Sequence, residues 1–90
     1  MQQVHLFISG EVQGVGFREY VSHKARKVGV QGWVRNLDDG RVEAVIQGDE
    51  KKVEILVTLS QHGPPLAHVM EIDMQYEEIA HTYTDFIVVQ

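Results

Sequence analysis

Apolar residues occupy alternate positions along three segments of the chain, 4–8, 42–46 and 70–76. This period of two predicts β-strands that turn one face toward a core. A further strand is expected over residues 33–37, because Asp38-Asp39-Gly40 forms a tight turn that joins it to segment 42–46 as a hairpin. The apolar run 86–89 predicts a final edge or closing strand. In segment 70–76, Met70 and Met74 are expected to fill the core.

Two other segments repeat their apolar residues at spacings of three and four, which is typical of amphipathic helices. In the first, Val21, Ala25 and Val28 share one side, and Gly29 is expected to end the helix. Asp49 is placed to cap the second helix. The inward side of that helix carries Val53, Leu56, Val57 and Ser60, and Gly63-Pro64-Pro65 ends it.

The predicted elements follow one another as βαββαβ with a short strand at the end. This order predicts an α+β fold, the ferredoxin-like split βαβ sandwich, in which two helices cover one face of a mostly antiparallel sheet. The second strand is expected at an edge of that sheet, beside the third. Ninety residues without an internal linker or repeat predict a single domain, 1–90.

Charge is distributed unevenly along the chain. Eight Lys and Arg against thirteen Asp and Glu give a formal net charge of -5, which disfavours binding of nucleic acid through its phosphates. Residues 1–48 nevertheless hold six of the eight bases and only five of the thirteen acids. Because a local excess of positive charge can steer a small anion, a candidate site is expected in the first half of the chain.

Several kinds of site are excluded or disfavoured by composition. The chain has no Cys, which excludes a thiol nucleophile and cysteine-bound metals. The five histidines show no metal-ligand spacing, so surface or structural roles are expected for them, with no metal and no cofactor. No apolar run approaches the ~18 residues that span a bilayer, and no signal-peptide pattern is present. We therefore expect a cytoplasmic protein that does not bind membranes.

The stretch between the first strand and the first helix, residues 10–18, contains three glycines. Glycines there are compatible with a simple tight turn, but they also allow close backbone approach to a ligand. Free N–H groups at a helix N-terminus attract anions, and Arg18 adds a planar guanidinium with five donors. A cation in the first helical turn is unfavourable without an anion beside it. The combination favours a phosphate or carboxylate site.

Other phosphate motifs do not match this stretch. The P-loop pattern needs Lys and Ser or Thr where Phe17 and Arg18 stand, and the dinucleotide pattern needs a glycine at Glu19. Since no Cys can attack phosphorus, water is the expected nucleophile of any phosphoryl transfer. Asn36, near the predicted hairpin turn, is a candidate for orienting that water, although a hydrogen bond within the turn is the commoner role for such a residue.

Two long segments together resemble the signature sequences of the acylphosphatase family. They are Gly10-x-Val12-Gln13-Gly14-Val15-Gly16-Phe17-Arg18 and Gly32-Trp33-Val34-Arg35-Asn36-Leu37-x-Asp39-Gly40-x-Val42-Glu43. The resemblance continues to the closing strand, so it covers nearly the whole chain. It implies hydrolysis of small acyl phosphates to a carboxylate and inorganic phosphate, without metal or cofactor, by a small free-standing enzyme that we expect to be a monomer.

The resemblance also implies roles for particular residues. Arg18 corresponds to the arginine that binds the phosphoryl group, and Asn36 to the asparagine that positions the attacking water. The backbone N–H groups expected to assist Arg18 belong to Gly14, Val15, Gly16 and Phe17. The phosphate of the substrate takes the proton of the water in this scheme. One departure is Glu11, where the family commonly has a basic residue, and we expect its side chain to point to solvent.

Two other functions are compatible with the predicted fold. An RNA-binding module of the RRM type would need aromatic residues on its third strand, but residues 41–47 contain none, which disfavours RNA binding. A non-catalytic module that senses a phosphorylated metabolite or docks onto a larger enzyme would keep the same anion site. Release of phosphate from benzoyl phosphate distinguishes this module from an enzyme.

Overall fold

The computed structural model describes residues 1–90 and contains seven helices and strands in the predicted order. They are β1 (Gln2–Glu11), α1 (Phe17–Val28), β2 (Gln31–Asn36), β3 (Val42–Gly48), α2 (Glu50–His62), β4 (His68–Glu77) and β5 (Phe86–Val89). Neither helix has both the length and the apolar character needed to cross a lipid bilayer.

The five strands form one sheet in the order β4-β1-β3-β2-β5. Neighbouring strands are antiparallel except β2 and β5, which are parallel. Both helices cover the same face, because their buried residues share one core with the inward side chains of the sheet. That core includes Val4, Leu6, Ile8, Val34, Val42, Ala44 and Ile46 from the strands and Val21, Ala25, Val53 and Leu56 from the helices. The ferredoxin-like α+β sandwich is confirmed.

β2 does not lie at the edge of the sheet, where the βαββαβ order alone would place it. β5 runs along its outer side, with Val34 opposite Val88, and the N–H of Gly32 donates to the carbonyl of Asp85 at 2.9 Å. An exposed strand edge leaves backbone groups unpaired, and the closing strand satisfies those of β2. The edge strands of the sheet are therefore β4 and β5.

β4 contributes less to the core than its alternating sequence predicts. Met70 is 75% exposed and Met74 is 39% exposed, so the prediction that both fill the core was wrong. Ile72, the residue between them on the same side, packs against the core. β4 is an edge strand with β1 as its only neighbour. A side chain on the inward face of such a strand is buried only where a helix extends over it, which explains the exposure of Met70 and Met74.

Local interactions fix the start of α2 and the end of α1. The Asp49 carboxylate accepts a hydrogen bond from the N–H of Lys51 at 3.2 Å and caps α2 as predicted, a contribution of about 1 kcal/mol. At the end of α1, the N–H of Gly29 donates to the carbonyl of Ala25 at 2.8 Å. The first residue of α1 is Phe17, so its N-terminus directly follows the glycine-rich stretch.

Candidate active site

The loop between β1 and α1, here the β1–α1 loop, is anchored by apolar side chains that flank its glycines. Val12 and Phe17 are each 1% exposed, and Val15 packs against the core. Between these anchors, Gly14 (φ 73°) and Gly16 (φ 79°) adopt the left-handed conformation, and a Cβ built on either would have no atom within 4 Å. The anchors fix the loop, and the glycines leave its backbone open to a ligand.

The β1–α1 loop presents backbone donors that no backbone carbonyl of the protein uses. None of the nine backbone hydrogen bonds outside the helices and strands has the N–H of Gly14, Val15 or Gly16 as its donor. The first N–H groups of a helix also have no intrahelical acceptor, and the helix dipole makes that end positive. The loop and the start of α1 therefore form a cradle of donors suited to an anion.

Arg18 is the second residue of α1 and lies directly beside this cradle. It is half-buried and takes part in none of the five ion pairs of the protein. The other three arginines, at positions 26, 35 and 41, each pair with a carboxylate. Glu11 is exposed. The positive end of α1 thus carries a guanidinium without a carboxylate partner, an arrangement that a bound anion would stabilise.

Asn36 is the last residue of β2 and lies on the side of the sheet that the helices cover. Val34, two residues earlier, is fully buried, and Asn36 is paired across the sheet with the buried Val42. The Oδ1 atom of Asn36 is the only buried side-chain nitrogen or oxygen of the protein without a hydrogen-bond partner. Such an atom costs about 1–3 kcal/mol. Native structures retain few of them, so this one calls for an explanation.

The register of the sheet places Asn36 at the same end of the molecule as the β1–α1 loop. Ile8, Val42 and Asn36 lie in one row across β1, β3 and β2, a row about 10 Å wide. The side chain of Gln13 then crosses from the loop to the hairpin and donates to the carbonyl of Leu37 at 2.8 Å. The structure therefore brings the loop, the start of α1 and the end of β2 together.

The concave surfaces of the protein lie elsewhere. The largest, about 470 Å³, is beside Lys51 and Ile55 on α2, and no residue of the β1–α1 loop lines any of the four depressions. A phosphoryl group is small and can be held by backbone donors and one side chain, so a shallow cradle is sufficient for it. The chemistry of the exposed groups, rather than cavity volume, marks the site.

Sequence reasoning missed a cluster of charged residues on the face of the sheet that the helices leave open. His5 lies between two carboxylates, with Nε2 2.6 Å from Glu43 Oε2 and Nδ1 2.8 Å from Glu77 Oε2. The Nε of Arg35 donates to the other oxygen of Glu43 at 2.6 Å. These four residues, here the open-face cluster, come from four different strands. Sequence alternation indicates the face of the sheet on which a side chain lies, but not which residues lie beside it on neighbouring strands. Only the strand register shows that these four residues meet.

The open-face cluster favours the charged form of its members. Burial lowers the pKa of His5, but hydrogen bonds and charges from Glu77 and Glu43 outweigh it and raise that pKa above its usual value. Burial raises the pKa of Glu43, but His5 and Arg35 lower it overall. Hydrogen bonds from Gln3 and His5 lower the pKa of Glu77. Each charge in the cluster is balanced by a neighbour, whereas Arg18 has no such partner.

Comparison with known proteins agrees with the two sequence motifs. The acylphosphatase family model matches residues 4–88 of the chain. The protein belongs to the acylphosphatase family. The acylphosphatase of Thermococcus kodakarensis is 57% identical over 76 residues, which are 84% of each chain. That of Methylococcus capsulatus is 42% identical over 90 residues, which cover this chain completely and 98% of the relative.

A solved structure of the acylphosphatase family shares the complete fold. The crystal structure of acylphosphatase from Bacillus subtilis superposes with a TM-score of 0.97 and 36% identity, and each chain covers the whole of the other. The family resemblance drawn from the motifs is thus confirmed, together with the ferredoxin-like architecture.

Proposed function

We propose that the protein hydrolyses small acyl phosphates to a carboxylate and inorganic phosphate at an active site formed by the anion cradle, Arg18 and Asn36. Family membership supplies the reaction class. The observation that supports this location is the set of polar groups without protein partners at one end of the sheet. The set consists of loop N–H groups, a guanidinium outside every ion pair and an orphaned carboxamide oxygen.

In this proposal the phosphoryl group is bound by the guanidinium of Arg18 and by the N–H groups of Gly14, Val15, Gly16 and Phe17. The backbone donors surround the non-bridging oxygens without adding bulk, and Arg18 provides charge and a bidentate hydrogen bond. The left-handed conformation of Gly14 and Gly16 is one that anion-binding nests use to direct successive N–H groups at one ligand. The site therefore recognises the phosphoryl end of the substrate and places little constraint on the acyl group.

The reaction follows from this arrangement. A water aligned by Asn36 attacks phosphorus, the bond between phosphorus and the carboxylate oxygen breaks, and the proton of the water passes to a phosphate oxygen. Because the leaving group is a stable carboxylate, no protein acid is required. Positioning and charge stabilisation suffice for a loose, metaphosphate-like transition state, to which each well-aimed donor contributes about 2.7–4 kcal/mol. The mechanism uses neither metal nor cofactor.

We also propose that residues 1–90 form one domain and that the protein is a cytoplasmic monomer that does not bind nucleic acid. The relative from Methylococcus capsulatus, which the chain covers over 98% of its length, supports the single domain. The net charge of -5 opposes phosphate-backbone binding. The exposed acids Glu71 and Asp73 on β4 oppose edge-to-edge pairing with another copy.

Hydrolysis of benzoyl phosphate in water enriched in oxygen-18 tests the proposed function. We expect saturable release of phosphate, with the label in phosphate and none in benzoate, because water attacks phosphorus. A chelator should leave the rate unchanged. Binding of phosphate without hydrolysis would favour a sensing or docking module instead. Label in benzoate would show attack at the carbonyl carbon and would contradict the mechanism.

A further inference from the structure

Gln13 makes the only hydrogen bonds that join the β1–α1 loop to the hairpin between β2 and β3. Its side-chain Nε2 donates to the carbonyl of Leu37 at 2.8 Å and to the carbonyl of Arg41 at 2.9 Å. No backbone hydrogen bond connects the two segments. A single amide group therefore uses both of its N–H donors to hold the loop against the hairpin.

The two carbonyls that Gln13 contacts lie just beyond the pair formed by Asn36 and Val42, one in each arm of the hairpin. Leu37 follows Asn36 directly in the chain, and Arg41 precedes Val42, the residue paired with Asn36 across the sheet. The N–H of Leu37 also donates to the carbonyl of Arg41 at 2.8 Å and closes the hairpin. Gln13 is thus attached to both arms of the hairpin directly after the last residue pair of β2 and β3, which contains Asn36.

We propose that Gln13 is a positioning residue that sets the distance between the anion cradle and Asn36. This inference rests on the proposed function, since it concerns the alignment of the water that Asn36 holds against the bound phosphoryl group. The loop carries the N–H donors and leads into Arg18, whereas Asn36 belongs to a different strand. Two groups on separate segments need a physical link to stay aligned, and misplacement by about 1 Å can cost about 100-fold in rate.

The chemistry of the contact explains why an amide stands at this position. Two carbonyl acceptors require two N–H donors and no negative charge, which Gln provides. Met has nearly the same length and shape but no donor, so Gln13→Met removes the link and little else. Gln13 is exposed, so this variant should fold, and Gln13→Ala is a second variant with the same prediction. Gln75→Met is the matched control, because Gln75 is exposed and lies on β4 opposite His5 of β1, away from the loop.

Steady-state hydrolysis of benzoyl phosphate and binding of inorganic phosphate test the inference. We expect Gln13→Met to lower kcat about 10-fold or more, with the Kd for phosphate changed less than about threefold, because the cradle is intact and only its alignment with Asn36 is lost. The thermal midpoint should stay close to that of the wild type, and Gln75→Met should leave kcat unchanged.

A double-mutant cycle shows whether Gln13 acts through Asn36. If it does, Gln13→Met should have little further effect on kcat in the Asn36→Ala background, whereas independent effects would multiply. A kcat within about twofold of the wild type for Gln13→Met, or equal losses in both backgrounds, would overturn the inference. An inactive wild type would instead contradict the proposed function, so the two failures are distinguishable.

Discussion

Two groups of polar residues on the same sheet differ in how their charges are paired. In the open-face cluster, His5 contacts two carboxylates and Arg35 contacts one of them, so every charge has a partner within 2.8 Å. At the proposed active site, Arg18 belongs to no ion pair and the Asn36 Oδ1 atom has no hydrogen-bond partner. The cluster is a completed network, whereas the active site keeps donors and an acceptor unused.

This difference favours a structural role for the open-face cluster and a functional role for the proposed active site. Perturbed pKa values are often taken to mark active sites, yet here three of the four belong to the open-face cluster, whose groups satisfy one another. The fourth is the lowered pKa of Asp39, which Arg41 holds in the hairpin turn. The proposed active site is instead marked by polar groups without protein partners, which are few in native structures and each call for an explanation, such as a catalytic role. We therefore expect substitutions at this site to change activity more than stability, and substitutions in the cluster to do the reverse.

Arg18→Ala should cause the greatest loss. The cradle loses its one side-chain cation, so we expect kcat/KM for benzoyl phosphate to fall by about 100- to 1,000-fold or more and phosphate binding to become undetectable by calorimetry. Lys27→Ala, which removes an exposed cation from the same helix, should leave kcat/KM within about twofold of the wild type. Near-normal phosphate affinity in Arg18→Ala would contradict the assignment of Arg18.

Asn36→Ala should lower kcat about 10- to 100-fold with a small change in KM, because it removes alignment of water and not binding of substrate. The free energy of unfolding should be unchanged or higher, since the variant removes an unsatisfied buried oxygen. Steady-state kinetics and chemical unfolding measure the two effects. A large rise in KM at unchanged kcat would argue for a binding role instead.

Glu43→Gln should lower stability more than activity, in contrast to Arg18→Ala and Asn36→Ala. It removes a nearly buried carboxylate that bonds both His5 and Arg35, so we expect the free energy of unfolding to fall by about 1–3 kcal/mol while kcat stays within about twofold. The fluorescence of the single tryptophan, Trp33, can follow unfolding by urea. Asp73→Asn is the control for loss of an exposed charge on the sheet. Equal destabilisation by both substitutions would mean that the cluster contributes nothing specific.

The open-face cluster should also make the stability of the protein depend on pH, an effect that we expect to be smaller than that of Glu43→Gln. The pKa of His5 is raised in the folded state, so its contribution is complete below the pKa of the unfolded chain, about 6.5, and is lost as pH rises through the folded value. The pKa values of Glu43 and Glu77 are lowered, so their contribution is present above about 4.3 and is lost as pH falls.

The cluster should accordingly stabilise the protein most between about pH 4.3 and 6.5. Unfolding by urea across this range, compared between the wild type and Glu43→Gln, measures the contribution as the difference between the two curves. A constant difference from acid to alkaline pH would contradict the ionic origin of the cluster. Titration of the His5 ring by NMR gives an independent reading of the raised pKa.

Much of the fold could be predicted because its signals are local. Alternation predicted β1, β3 and β4, and the spacing of Val21, Ala25 and Val28 predicted α1. The errors concern placement among neighbours. Met74 lies on the expected side of β4 yet is partly exposed, and β5 pairs with the outer side of β2. Neither could be predicted, because the periodicity of a sequence does not show how far a helix extends over the sheet or which strands pair.

The residues of the candidate site also divide into those that could be predicted from the sequence and those that could not. The glycines, the buried anchors and Arg18 are contiguous in the chain and begin a helix, so the sequence by itself was enough to predict an anion site there. The neighbourhood of Asn36, its unpaired oxygen and its connection to the loop through Gln13 depend on pairings between residues far apart in the chain. Those pairings, like the open-face cluster, were decided only when the strands took their register, since packing and hydrogen bonding across a sheet are non-local.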